Sequence, residues 1–272
     1  MRNIKLMLQY DGTNYNGWQI QPAEISDCRL QISDCKKQKS IITIQGVVQE
    51  AIKKITGEDA KVIGAGRTDA GVHAIGQVAS FKTSSGLSSD VIKKALNANL
   101  PDDIRILDAF DAETDFHPRY DAKSKTYVYV ISNSTVISPF LYRYAWRVPH
   151  KLHFEDMCNA IEFIKGRHDF SAFRASGCSA KNPVRTVFNI EMERFDAIHF
   201  MDMLFPGNFL KVCIEADAFL RHMVRNIVGT IIEIGKGKTK SEKIREIINS
   251  KDRRLAGPTA PARGLFLEKI NY

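Results

Sequence analysis

The stretch from Gly64 to Ala74, GAGRTDAGVHA, constrains the chain more than any other. It lies between two short apolar runs that favour strands, so it is predicted to be a loop held by a rigid scaffold. Its three glycines let the backbone approach another backbone or a ligand closely. Arg67, Thr68 and Asp69 lie between these glycines. A carboxylate in that setting can act as a nucleophile or a base, or it can cap a turn and pair with Arg67.

Hydrophobic periodicity predicts the order strand, helix, strand, strand, helix, strand in the first half of the chain. Ile4, Leu6 and Leu8 alternate with polar residues, which is typical of a strand with one buried face. A helical apolar stripe begins at Gln45 and is expected to end at Gly57, a residue suited to a C-cap. The six elements are predicted at residues 3–10, 45–56, 61–63, 77–81, 88–100 and 104–110.

The second half is predicted to combine strands and helices in a similar way. Strands are expected at residues 122–131, 139–148, 185–195, 197–204 and 209–216, with a last strand beginning at 265. Helices are expected at residues 154–164, 219–234 and 242–248. Two such halves, residues 1–115 and 116–272 without a linker, predict one compact α+β unit with antiparallel sheets and helices on one face.

Charge and cysteine content limit the classes of partner and compartment. The 272 residues carry 39 Lys+Arg and 31 Asp+Glu, and the net charge of +8 favours a polyanionic partner such as nucleic acid. Five cysteines without a C-x-x-C pair argue against a disulfide framework and a zinc ribbon. The charged N-terminal segment is not typical of a signal peptide, and no apolar run approaches the roughly 20 residues of a spanning helix. A soluble, cytoplasmic protein is expected.

The predicted helix 219–234 is apolar around most of its circumference, which indicates that it is buried. Its polar residues fall on one stripe: Arg221, His222, Arg225, Asn226 and then Gly229. A guanidinium on a buried helix needs a carboxylate or phosphate partner, because an unpaired buried charge costs several kcal/mol.

The predicted strand 122–131 places two tyrosines, Tyr127 and Tyr129, on one face, and that face begins with Lys123 and Lys125. Aromatic side chains interleaved with cations suit stacking on bases while phosphates are held. An ordinary half-buried strand would show the same alternation.

Nine consecutive residues, GRTDAGVHA from Gly66, resemble the signature of the TruA-type tRNA pseudouridine synthases. Further similar stretches extend the resemblance over most of the chain. They are YDGTNYNGWQ at 10–19, KTYVY at 125–129, DFSAFRA at 169–175, MVRN at 223–226 and AGPTAP at 256–261.

The resemblance implies a fold of two ferredoxin-like (RNP-like) halves whose antiparallel sheets meet at a central basic cleft. It implies isomerisation of uridine to pseudouridine at positions 38 to 40, in the anticodon stem-loop of tRNA. It also implies a homodimer, and no metal or cofactor, since one carbon–nitrogen bond is broken and the base is rejoined within the same nucleotide.

The resemblance also assigns roles to single residues. Asp69 corresponds to the catalytic aspartate, Arg225 to the arginine that faces it, and Tyr127 to the tyrosine that contacts the target uracil. Arg67 is expected to occupy the space that the extruded base leaves, whereas Arg225 can alternatively form a structural pair with another acid. The expected tRNA contacts are Phe116, His117, Pro118, Arg119 and Tyr120, and then Phe173, Arg174, Ala175, Ser176 and Gly177.

One segment departs from the family pattern. Residues 23–41 contain a near-repeat, ISDCRLQ followed by ISDCKKQ, where the family passes to its next helix with fewer residues. Two heptads are too few for a coiled coil. An exposed loop that the fold tolerates is favoured over a functional element.

Two other functions remain open at this level. One is an RNA-binding protein with the same scaffold but no activity, against which Asp69, Arg67, Tyr127 and Arg225 together argue. The other is a nucleotide or phosphate hydrolase using the glycine-rich loop, but no G-K-[ST] sequence in that loop and no metal-ligand cluster supports it.

Overall fold

The structure, a computed structural model, describes residues 1–20, 42–200 and 202–272. The expected insertion at 23–41 therefore lies outside the described residues. Within the described ranges, no helix is long and apolar enough to cross a membrane.

Residues up to 112 form four strands and two helices in the predicted order. They are β1 (Arg2–Tyr10), α1 (Ile44–Thr56), β2 (Ile63–Gly64), β3 (His73–Thr83), α2 (Ser89–Asn99) and β4 (Ile104–Ala112). The caps follow the sequence, because Gly57 adopts the left-handed conformation after α1 and the Ser88 side chain accepts from the Val91 amide before α2. The predicted alternation in β1 is confirmed, since Ile4, Leu6 and Leu8 are fully buried.

The rest of the chain adds six strands and three longer helices. They are β5 (Ser124–Ser132), β6 (Trp146–Arg147), α3 (Phe154–Glu162), β7 (Gly166–Asp169), β8 (Val184–Phe200), β9 (Met203–Ala216), α4 (Met223–Gly235), α5 (Lys243–Ser250) and β10 (Leu265–Asn271). The fold is thus mixed α/β with a large, mostly antiparallel sheet, which agrees with the coarse prediction.

One sheet runs through both parts of the chain, in the order β4-β1-β3-β10-β5-β9-β8-β7, with β2 paired to β3 and β6 to β5. The last strand, β10, lies between β3 and β5. Leu267 is aligned with Ala74 of β3 in a parallel pairing and with Tyr127 of β5 in an antiparallel one. This arrangement brings Tyr127 close to the end of the glycine-rich loop.

The structure corrects the sequence prediction in three places. Residues 139–145 form successive turns, with Leu141 and Tyr142 both donating to the Ser138 carbonyl, so the alternation there does not reflect a strand. The expected strands 185–195, 197–204 and 209–216 are a single hairpin, β8–β9, whose register shifts between Phe195 and Ala197. Helix α4 begins four residues late because His222 is left-handed, with φ 61°.

Candidate active site

The glycine-rich loop is held by the segment that follows β1. The Trp18 amide donates to the Thr68 carbonyl at 3.0 Å, and the Thr68 hydroxyl lies 2.8 Å from the Tyr10 hydroxyl. Gly17 has φ 84°, and a Cβ there would lie 2.4 Å from the Thr68 carbonyl oxygen, so this close approach requires glycine. Trp18 itself is buried in the core. The loop is therefore a rigid platform for Asp69.

Asp69 is paired with a side chain from the other end of the chain. Arg225 Nη1 lies 3.3 Å from Asp69 Oδ2. The Asp69 side chain retains 27% exposure and that of Arg225 14%, so the pair is partly shielded and open on the Asp69 side. Arg225 is fixed independently of Asp69, because its Nε donates to the Ala260 carbonyl at 2.7 Å. The structure thus brings together the two residues that the resemblance pairs.

Helix α4 is positioned by close packing against the segment before β10. Gly229 lies so near Pro258 that a Cβ would come within 1.7 Å of the Pro258 carbonyl oxygen. Asn226 is fully buried, and its side chain donates to the Phe173 carbonyl at 2.7 Å while accepting from the Thr259 hydroxyl at 2.6 Å. These contacts fix the first turn of α4, and with it the direction of Arg225.

His222 is a further neighbour of Asp69 that the sequence interpretation did not single out. Its Nε2 lies 3.4 Å from Asp69 Oδ2, the oxygen that also faces Arg225. Burial lowers the pKa of His222 below its usual 6.5; the charge of Asp69 opposes this shift, and those of three arginines add to it. The arginines are Arg225, Arg221 and Arg253. The imidazole is therefore neutral at neutral pH.

Asp69 is consequently approached on one oxygen only. Both Arg225 and His222 face Oδ2, and no described residue donates a hydrogen bond to Oδ1. A carboxylate that is oriented by one oxygen and open at the other is suited to attack a bound substrate or to accept a proton from it.

Tyr127 lies beside the same loop. Its ring meets Phe219 edge to face, with ring centroids 5.0 Å apart. Its hydroxyl borders Gly66, at 3.6 Å from the position where a Cβ would stand. Burial raises the pKa of Tyr127 well above its usual 10, with the charges of Tyr10 and Asp69 adding to the shift. Tyr127 is thus a neutral hydroxyl close to Asp69, whereas Arg67 is exposed on the loop.

A cleft of about 840 Å³ opens next to His222, and its lining includes four cations and one carboxylate, Asp252. Its cations are Arg174, Arg221, Lys251 and Arg253. The expected contact residues Arg174, Ala175, Ser176 and Gly177 also line it. Phe173 does not, because its side chain is fully buried against Phe170.

The other expected contact segment, residues 116–120, precedes β5. Tyr120 is 75% exposed and stacks on His117 with ring centroids 4.2 Å apart, and Arg119 is exposed beside it. Pro118 is buried and its carbonyl accepts from the Tyr272 hydroxyl, while Phe116 packs on the Tyr272 ring. The segment therefore offers one aromatic and one cationic side chain to the solvent.

Comparison with known proteins identifies close relatives over the whole chain. A family model described as tRNA pseudouridine synthase matches residues 7–121 and 160–272. A protein of Acetivibrio thermocellus named tRNA pseudouridine synthase A is 47% identical over 272 residues, covering 100% of both chains. One of the same name from Thermodesulfovibrio yellowstonii is 46% identical with the same coverage.

A solved structure titled "Crystal Structure of a Cbf5-Nop10-Gar1 Complex" matches 69% of this chain and 40% of the other. The match has 18% sequence identity and a TM-score of 0.28. A TM-score this low supports no inference about function.

Proposed function

The chain belongs to the tRNA pseudouridine synthase family, whose members are isomerases, and we propose that it converts uridine to pseudouridine in the anticodon stem-loop of tRNA, at positions 38 to 40. The observation that carries the proposal is the Asp69–Arg225 pair, in which Arg225 Nη1 approaches only Oδ2 of Asp69, at 3.3 Å. The free oxygen, Oδ1, is the group assigned to the reaction.

The reaction balances within one nucleotide. The bond between N1 of uracil and C1′ of ribose breaks, a bond between C5 and C1′ forms, the C5 proton leaves to solvent and N1 gains a proton. Asp69 can serve by attacking C1′, by attacking C6 of the ring or by removing a proton from the sugar. All three routes need an ionised carboxylate that is held in place, as the contacts to Arg225 and His222 provide.

The target uracil has to leave the base stack, at a cost of a few kcal/mol, before Asp69 can reach it. We assign Tyr127 to contact with the extruded uracil, because the Tyr127 ring is fixed by Phe219 next to the catalytic loop. We assign Arg67 to the space that the base leaves, since its planar cation is exposed and can stack and form hydrogen bonds there.

The remaining contacts are assigned to the tRNA backbone. Arg174 to Gly177 line a cleft with four cations, which suits phosphate binding. In residues 116–120, the exposed Arg119 and Tyr120 are the side chains suited to RNA contact. Phe116, His117 and Pro118 support them, and Phe173 holds its loop on the core.

The proposal includes two ferredoxin-like halves, residues 1–115 and 116–272, around a central basic cleft. The order strand, helix, strand, strand, helix, strand in the first half supports it. So does the origin of the site, because Asp69 comes from the first half and Arg225 from the second.

A homodimer acting in the cytoplasm is part of the same proposal. Large apolar side chains are exposed around the tip of the β8–β9 hairpin and the adjacent turns, at Val136, Phe140, Phe195, Met203 and Leu204. Such a surface favours association, and light scattering of the purified protein checks the mass. The described cysteines, Cys158, Cys178 and Cys213, are free thiols, as a reducing compartment favours.

The deciding experiment uses a tRNA transcript labelled with tritium at C5 of its uridines. Pseudouridine formation releases one tritium to water for each converted uridine, without cleaving the chain. An RNA-binding protein without activity would bind the transcript and release none. A hydrolase would release phosphate or free base instead, and that product would refute the assignment.

A further inference from the structure

Lys125, the second residue of β5, is a buried cation to which the proposed function above assigns no contact. It is 8% exposed. In register, Lys125 is opposite Ala216 of β9, which is opposite Val187 of β8. Arg185 lies two residues before Val187, so it projects on the same face of the sheet as Lys125.

One buried donor at this location lacks an acceptor. Arg185 Nε is buried and has no hydrogen-bond partner among the described residues, whereas Arg185 Nη1 donates to the Asn182 and Val184 carbonyls. The charge that favours protonated Lys125 is that of Asp217, but Asp217 Oδ1 already accepts from the Thr186 and Ala218 amides. A buried guanidinium N–H without an acceptor is costly, so the site is suited to an anion from outside the chain.

Lys125 also borders the candidate active site. From the position where a Cβ on Gly66 would stand, Lys125 Cδ lies 4.0 Å away and the Tyr127 hydroxyl 3.6 Å away. Alternate residues of one strand project side by side on the same face. A nucleotide whose base contacts Tyr127 therefore has its backbone within reach of Lys125.

The geometry points to Lys125, with Arg185, as a binding site for the phosphate that adjoins the extruded uridine. This inference rests on the proposed function, because the phosphate is that of the tRNA substrate. It adds a second role for β5, which contacts the base through Tyr127 and the backbone through Lys125.

The site has a measurable protonation signature. Burial, followed by the charges of Arg119 and Arg185, lowers the pKa of Lys125 to about 8, and Asp217 opposes the shift. A bound phosphate raises that pKa again, since it is an opposite charge at the ammonium. At pH 8, where about half of the Lys125 side chains are neutral, binding takes up about half a proton. Affinity accordingly falls as the pH rises above 8.

The test measures binding of a tRNA transcript to the Asp69→Asn protein, in which turnover is blocked, with and without a second substitution. Lys125→Met removes the charge, Lys125→Arg keeps a permanent charge, and Lys123→Met is the matched control on an exposed lysine two residues earlier. Titration calorimetry at pH 8 in two buffers of different ionisation enthalpy gives the proton uptake. Titrations at several salt concentrations give the slope of log affinity against log salt.

Lys125→Met is expected to weaken binding about tenfold at 0.1 M salt, to reduce the magnitude of the salt slope by about 0.7 to 0.9 and to abolish proton uptake at pH 8. Lys125→Arg should retain the affinity but lose the uptake, whereas Lys123→Met should leave the uptake unchanged. If Lys125→Met does not fold, as judged by thermal unfolding, Lys125→Arg alone decides the question through its proton uptake.

Unchanged uptake in the folded Lys125 variants would overturn the phosphate site. If the protein with Asp69 intact still releases tritium from labelled tRNA in that case, only this inference fails. A protein that neither binds tRNA nor releases tritium would overturn the proposed function together with it.

Discussion

Two aspartates near the glycine-rich loop have opposite surroundings. Asp11, after β1, is bound on both oxygens: the Thr13 amide donates to Oδ1 at 2.9 Å, His73 Nδ1 lies 3.0 Å from Oδ1, and the Tyr144 hydroxyl donates to Oδ2 at 3.0 Å. Burial alone would raise the pKa of Asp11, but its contact with His73 and the hydrogen bonds from the Thr13 amide and hydroxyl hold it well below its usual 3.8. Asp11 is thus a carboxylate whose acceptor capacity is used by the fold.

Asp69 differs in both number and closeness of partners. Arg225 and His222 lie 3.3 and 3.4 Å away, and both face Oδ2. Although His73 is only four residues beyond Asp69, it serves Asp11 instead. A carboxylate available for chemistry is therefore distinguished by a second oxygen that accepts no hydrogen bond. Partial burial and charged neighbours do not distinguish it, since both aspartates have them.

The largest expected effect is that of Asp69→Asn. Because an amide can neither attack nor accept a proton as a carboxylate does, tritium release should fall at least about 10³-fold. The free energy of unfolding should change by no more than about 1 kcal/mol, since the ion pair is long and partly exposed. Thermal unfolding and tRNA binding serve as controls, and appreciable turnover by the variant would remove Asp69 from its assigned role.

Arg225→Leu is expected to lower kcat by roughly 10²-fold with a smaller change in KM, because Arg225 orients the carboxylate rather than binding the RNA at large. Arg225→Lys should restore part of the activity by restoring a charge. Single-turnover rates at saturating enzyme measure the effect. If Arg225 were purely structural, Arg225→Leu would lower the stability without a selective loss of kcat. Any substitution that restored the folded helix would then restore the activity equally.

Asp11→Asn should lower the stability more than the activity, the reverse of what is expected for Asp69→Asn. The free energy of unfolding should fall by roughly 1 to 3 kcal/mol, because buried donors lose a charged acceptor, while kcat changes less than about tenfold. Since the folded pKa of Asp11 lies below the unfolded value near 3.8, its stabilisation is present above that pH and is lost as the pH falls through the folded pKa. Measured by chemical unfolding between pH 7 and 3, the free energy of unfolding should therefore fall less steeply at the acid end for the variant than for the parent protein. Equal slopes in the two proteins would show that Asp11 does not stabilise the fold in this way.

Tyr144→Phe has the smallest expected effect. It removes one hydrogen bond to Asp11 Oδ2 but keeps the ring against His73, so about 1 kcal/mol of stability should be lost. Turnover should stay within twofold of the parent, as measured beside Tyr142→Phe, whose hydroxyl accepts only from the exposed Arg143. If Tyr144→Phe lost more activity than Asp11→Asn, the turns at residues 139–145 would be shown to contact the substrate.

Local patterns predicted most of the elements, because alternation and caps are properties of short segments. Ile4, Leu6 and Leu8 identified a buried face, and Gly57 ended a helix where expected. The conformation of His222 could not be predicted in this way, because a positive φ at a histidine leaves no trace in the apolar pattern that extends from Phe219 into α4. The β8–β9 hairpin was divided wrongly around the register shift between Phe195 and Ala197, where β9 places two residues, Gly207 and Asn208, opposite the single Asp196.

The candidate site depended on contacts between distant residues. Asp69 and Arg225 are 156 positions apart, so periodicity could not pair them, and only the resemblance to a family did so before their distance was known. The sequence offered no comparable signal for His222 or for the isolated donors around Lys125. The donors around Lys125 come together through the alignment of strands β5, β8 and β9, and His222 approaches Asp69 from the residue before α4. A single sequence specifies neither arrangement.

The position of β10 has a consequence for the order of events in the cell. Residues 265–271 are synthesised after the other strands, yet they separate β3 from β5 and align Leu267 with both Ala74 and Tyr127. While the ribosome still covers this segment, the loop with Asp69 and the strand with Tyr127 have no common neighbour in the sheet. Competence to modify RNA should therefore begin only once residues 265–271 have left the ribosome and joined the sheet.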